Sequence, residues 1–181
     1  MNFSNIAKDL GEQTLTTVKY ILGLGISTDR KKQMLAKLFR DIGFPFYDKI
    51  FRDASELFDS GAIGTTGFKD PDDQIGRLAT KIVQNHNLGR TSTPAIVRTF
   101  YDSVSAQALD KSFKNAKSLG KHPTLTRILR GETCKWCRSM TGTFVNPEGE
   151  MFARHENCDC LFITKGYNSR NGVVNNYRKG K

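Results

Sequence analysis

Residues 134–160 read CKWCRSMTGTFVNPEGEMFARHENCDC, and they hold all four cysteines of a 181-residue chain together with one of its three histidines. Cys134 and Cys137 stand at the x2 spacing that lets two thiolates grip one ion. Twenty residues separate Cys137 from Cys158, and the second half, His155-x2-Cys158-x-Cys160, supplies three more soft or borderline ligands. Tetrahedral zinc takes four of these five, and four protein ligands leave no place for a reactive water. The spacing therefore predicts a structural zinc, one per chain, with the fifth residue outside the first coordination sphere. Gly142, Pro147 and Gly149 give the turn chemistry that folds one half back on the other. Two other uses of the thiols stay open: a pair of disulfides, or reduced cysteines serving as core residues. A redox centre fits poorly, because Trp136 lies between the paired cysteines and no βαβ pattern surrounds them.

Working outward, the flanks of this segment have the grammar of short strands. TLTRILRG (124–131) is β-branched and bounded by Pro123 and Gly131, and TFV, EMF and CLFIT are further strand candidates. Upstream the pattern is helical. Ile6, Leu10, Val18 and Ile21 form a stripe that ends at Gly23 and Gly25. STDRKKQMLAKLFRDIG then offers Ser27 or Thr28 as a cap and Met34, Leu35, Leu38 and Ile42 as one face, with Gly43 and Pro45 expected to close the helix. A separate helix is expected next, on the stripe Tyr47, Ile50, Phe51, Ala54, Leu57 and Phe58. The loop DSGAIGTTGFK (59–69) follows. Asp70 and Pro71 open a further helix with Ile75, Leu78, Ala79, Ile82 and Val83 inward. Thr93 as cap and Pro94 at the first position start the longest expected helix, about 94–118. Its inward face is Val97, Phe100, Val104, Ala108 and Leu109, and Gly120 is its left-handed stop.

The fold class expected is α+β: a mainly helical body over 1–120, a small cysteine/histidine, zinc-binding α+β module over 121–165, and a basic, mobile tail over 166–181. No apolar run approaches the roughly 20 residues of a membrane span. The start MNFSNIAKDLGEQ lacks the cationic and apolar regions of a signal peptide. The expectation is a chain made in a reducing cytoplasm, where clustered cysteines hold metal more readily than they oxidise.

Charge is uneven. Residues 1–60 carry 9 Lys/Arg against 8 Asp/Glu, residues 61–120 carry 8 against 5, and residues 121–181 carry 11 against 5, for a formal net charge of +10. A basic excess that grows toward the cysteine segment suits a polyanion, since phosphate neutralisation dominates sequence-independent nucleic-acid binding. Arg127, Arg130, Lys135, Arg138 and Arg154 are the basic company of the segment and the candidate DNA contacts, double-stranded and non-specific. A basic surface that merely aids solubility has the same composition.

LTRILRGETCKWCRSMTGTF followed by GEMFARHENCDC resembles the C-terminal segment of phage minor head proteins, the Mu F-like head morphogenesis group. The matching residues are Arg127, Arg130, Gly131, Cys134, Cys137, Gly142, Phe144, His155, Cys158 and Cys160, within residues 123–165. The chain departs from that pattern at Glu156, where the family usually has proline. The resemblance implies a low-copy virion component, present in the host cytoplasm during assembly and then in the head interior or at the portal. It would contact portal and capsid proteins and act in head morphogenesis and in DNA packaging or ejection, without enzymatic activity.

Two alternatives come from the same residues. A zinc-containing nuclease or toxin would need a base and a partner for His155. His86 and His122 are not placed as one, and Glu148, Glu150 and Glu156 lie in loops. A zinc-stabilised DNA-binding regulator would need a recognition helix, for which CKWCRSM is short. Trp136, the only tryptophan, is expected to pack over the metal loop, with stacking on a base as the less favoured use.

Overall fold

The computed structural model describes residues 3–58, 60, 74–129, 135–152, 160–164, 167–168 and 172–173. The chain runs α1 (Phe3–Gly23), α2 (Thr28–Leu57), α3 (Gln74–Asn87), α4 (Thr93–Ser118), β1 (Thr124–Ile128), α5 (Lys135–Ser139) and β2 (Gly142–Val145). A 3-10 turn (Gly149–Phe152) follows, then β3 (Leu161–Thr164), β4 (Tyr167–Asn168) and β5 (Gly172–Val173). This is an α+β arrangement, mainly helical, ending in a small antiparallel sheet of order β2-β1-β3-β4-β5. None of the helices is long and apolar enough to cross a membrane, among the described residues.

α2 begins as its sequence directs. Ser27 is the N-cap, its Oγ accepting from the Arg30 amide, and Asp29 sits in the first turn, where a carboxylate meets the positive end of the helix dipole. The helix does not stop at Gly43 and Pro45. It continues to Leu57, so one 30-residue helix replaces the two expected. Proline removes one backbone donor and crowds the carbonyl four residues back. The apolar stripe, however, runs unbroken through Leu35, Phe39, Gly43, Phe46, Ile50 and Ala54, all buried. Burial of that whole face against α4 outweighs a local break at an exposed proline. α2 is consequently longer than the 26-residue α4.

α3 buries Ile75, Ala79, Ile82 and Val83 as its periodicity requires; its expected opening at Asp70 and Pro71 and all but Ser60 of the 59–69 loop lie outside the described residues. At α4 the cap is Ser92 rather than Thr93. The Ser92 hydroxyl accepts from Asn85 Nδ2 at 2.7 Å, so it serves the preceding turn instead of capping its own helix. α4 ends as expected: Gly120 takes φ +72°, its amide reaches the Lys117 carbonyl, and the Lys121 amide reaches that of Ala116.

Val97, Phe100, Val104, Ala108 and Leu109 of α4 are all buried. The core does not end with the helices. Phe113 of α4 meets Phe152 edge-on at 5.2 Å, and Phe152 meets Phe162 of β3 at 6.3 Å. Leu125, Phe152 and Phe162 belong to one cluster with the helical residues, so the expected boundary near 120 separates types of secondary structure but not cores.

Candidate metal centre

β1 is the central strand of the sheet's first three. It pairs with β2 (Thr126↔Thr143, Arg127↔Gly142) and with β3 (Thr126↔Ile163, Arg127↔Phe162). Strand alternation gives it two faces. Thr126 and Thr143 share a 2.9 Å hydrogen bond on the exposed face, while Leu125 and Arg127 point inward. The Thr164 hydroxyl donates to the Thr124 carbonyl and braces the end of this ladder.

α5 is a helix of five residues, too short for side-chain periodicity to mark it in the sequence. Its last carbonyls are satisfied locally: Thr141 Oγ1 donates to the Cys137 carbonyl at 3.2 Å and Ser139 Oγ to that of Trp136 at 2.8 Å. Gly142 then takes φ +141°, a conformation that a side chain would strain, and the chain turns into β2. EMF, expected as a strand, is part of the 3-10 turn. The turn closes through the Met151 amide to the Glu148 carbonyl and drives Phe152 into the core.

The consequence of these turns is a meeting of the segment's two halves. Cys137, from the first half, is 1% exposed, and Cys160, from the second, is 0% exposed. They form one buried cluster with Leu129 packed against it. Both are thiols, with no disulfide between them. Cys134, His155 and Cys158 lie outside the described residues, as do Arg130 and Arg154. No group of three or more His, Cys, Asp or Glu that could hold a metal stands together among the described residues. The pair that is described fits a thiolate centre in two respects: each half contributes one sulfur, and both sulfurs are sequestered from water.

Arg127 is the main departure from expectation. As a DNA contact it should be exposed; it is 0% exposed, the largest fully buried side chain among the described residues. Its Nη2 lies 4.0 Å from Cys137 Sγ. Its guanidinium carbon sits 4.8 Å from the centroid of the Trp136 ring and 5.3 Å from that of Phe162. A desolvated guanidinium held by two aromatic faces gains about 2 kcal/mol or more from each good stacking contact. It is also a countercharge for thiolate sulfur, the form in which cysteine ligates metal. Arg127 is therefore an interior residue beside the buried cysteine pair and is withdrawn from the DNA-contact set. Lys135 and Arg138 are exposed on α5. Trp136, 39% exposed, spends a face on Arg127.

One ion pair ties this region to the helices. Lys117 of α4 donates to Glu148, just before the 3-10 turn, and the bond and the charge together hold the Glu148 carboxyl below its ordinary range. Sequence reading missed Leu129 and Phe162 as lining of the centre. Their signal was present only as strand alternation: residues 125, 127 and 129 share a face, and Phe162 is the cross-strand neighbour of Arg127. Comparison with family models, curated proteins and solved structures returned no match.

Proposed function

We propose that this chain is a phage minor head protein of the Mu F-like head morphogenesis kind. In this reading it is a low-copy virion component at the portal or inner capsid, acting in head assembly and in DNA packaging or ejection. The carrying observation is the burial together of Cys137, from the CxxC half, and Cys160, from the HxxCxC half. That convergence is what a two-part box requires if it holds one structural zinc, with Cys134, Cys137, His155, Cys158 and Cys160 as the ligand pool. The buried Arg127 supports the same reading, because three or four thiolates around Zn²⁺ leave the site net negative and a fixed cation offsets that charge. The zinc's role is to supply folding free energy to a small sheet, with no reactive position. Contact with duplex DNA is sequence-independent, carried by the chain's net charge of +10.

The test is composition of purified heads from the phage that encodes the chain. Mass spectrometry should find it in DNA-filled heads at few copies, retained through a salt wash that strips soluble protein. A portal gene immediately upstream accords with this. Absence from heads with abundance in the soluble lysate overturns the reading, and a neighbouring immunity gene or repressed promoter would direct attention to a toxin or a regulator.

A further inference from the structure

The strongest concentration of unused chemistry lies in the helical body. Between α2 and α3 runs an open groove of about 730 Å³. Five cationic side chains line it: Lys32 and Arg40 from α2, Arg77 and Lys81 from α3, and Arg90 from the loop that follows. No carboxylate is among its described lining residues. Asp29, one turn before Lys32 on α2, pairs with it at 3.1 Å and is itself largely exposed.

The placement follows from helical spacing. Lys32, Ala36 and Arg40 recur every four residues and so share one face of α2; Arg77, Lys81 and Gln84, at spacings of four and three, share one face of α3. Lys32 and Arg40 stand about 12 Å apart along the axis at a rise of 1.5 Å per residue. Arg90 is not left to a floppy loop. Its amide bonds the Asn85 carbonyl at 2.8 Å, and the buried Asn85 side chain is itself anchored on Ser92. The same loop lines a second, adjoining depression that shares Lys81, Asn85 and Arg90, so the basic surface continues past the end of α3.

Three classes of polyanion would be drawn to such a groove, and its lining separates them. An acidic protein partner needs an apolar or aromatic anchor at the centre of its interface, and among the described residues the only apolar lining is Ala36 and Gly76. A single-stranded nucleic acid needs aromatic faces for its bases, and the described lining has none. A duplex backbone needs guanidinium and ammonium groups with neutral donors between them, and Gln33, Thr80 and Gln84 supply those donors.

We propose that the α2–α3 groove is a seat for the sugar–phosphate backbone of duplex DNA, read without regard to sequence. This deepens the DNA contact proposed above and rests on it. It moves the principal phosphate contacts from the cysteine segment to the helical body, some of whose cations would have to act together. Lys32, already paired with Asp29, contributes least.

Fluorescence anisotropy of the full-length chain with two unrelated duplexes, titrated across salt from about 50 to 200 mM, tests it. If four or five cations engage phosphates, the log–log slope for the wild-type protein lies near −4. The double variant Arg40→Ala/Arg77→Ala, both exposed positions, flattens the slope by about two units. Arg40→Lys/Arg77→Lys keeps it, and Lys135→Ala/Arg138→Ala leaves it nearly unchanged. Circular dichroism melts confirm that each variant is folded. Binding that survives Arg40→Ala/Arg77→Ala intact, or that falls with Lys135→Ala/Arg138→Ala instead, overturns the groove while DNA contact itself stands. A wild-type chain that binds neither duplex at the lowest salt overturns both, and the head-protein reading is then judged by particle composition alone. A strong preference for one duplex overturns the backbone-only mode.

Discussion

Arg127 and Cys137 meet inside the protein, Nη2 to Sγ at 4.0 Å, the first carried by the central strand and the second by a five-residue helix ten positions later. Truncating the larger partner removes a full-length buried side chain and its two ring contacts. Arg127→Ala should lower stability by about 3–5 kcal/mol in urea titrations, in the range of large-to-small changes at well-packed sites. Arg127→Lys keeps the charge but not the stacked plane and should fall between the two. A change under about 0.5 kcal/mol would mean that the guanidinium contributes nothing to the interior.

The cysteine centre makes a compositional prediction. Reduced, metal-replete protein should carry about one zinc per chain by inductively coupled plasma mass spectrometry, the occupancy of a single closed tetrahedral site. Cys137→Ser and Cys160→Ser should each lose the metal and lower the denaturation midpoint. A stable, metal-free protein whose mass shows two disulfides would sink the zinc assignment.

Pro45 lies exposed inside α2, where it withholds one backbone hydrogen bond. Pro45→Ala should raise stability by about 1–3 kcal/mol, with helical content by circular dichroism unchanged or slightly higher. A lower melting temperature would show instead that proline at this position is needed for α2 to pack along α4.

Asp53 supplies a pH test. Burial raises its pKa above the ordinary value, more than Lys49 at 3.9 Å lowers it. The unfolded chain therefore releases this proton at lower pH than the folded one does. Stability falls as pH climbs from the ordinary carboxylate value through the raised one, and the loss persists at neutral pH. Asp53→Asn should melt higher than wild type at pH 7, and the gap should close in acid. A gap that widened on acidification would contradict the sign.

Much of the architecture was legible from periodicity. α1, α3 and α4, the strands at 124–128, 142–145 and 161–164, and the Gly120 stop follow from side-chain spacing and turn chemistry. Three features were not, each for a definite reason. Pro45 announces a break that only the long-range partner α4 overrides, and no local window contains α4. Ser92, not Thr93, stands at the cap position, and its hydroxyl makes no cap hydrogen bond because it is engaged with Asn85 on the preceding helix. Arg127 looked like surface because charge suggests solvent, yet its place two residues after Leu125, on the inward face, carried the opposite message. The groove cations were visible as an i, i+4 pair at Arg77 and Lys81, but nothing in one dimension sets that pair opposite Arg40.

The ring contacts Phe58–Phe113 at 4.8 Å, Phe113–Phe152 at 5.2 Å and Phe152–Phe162 at 6.3 Å run from the end of α2 into the sheet. A core continuous across them predicts that the helices and the sheet open together. Amide protons of α4 and of β1 should exchange with solvent at a common slow rate set by global unfolding, so that a ligand gripping only the sheet would slow exchange in the helices by the same factor.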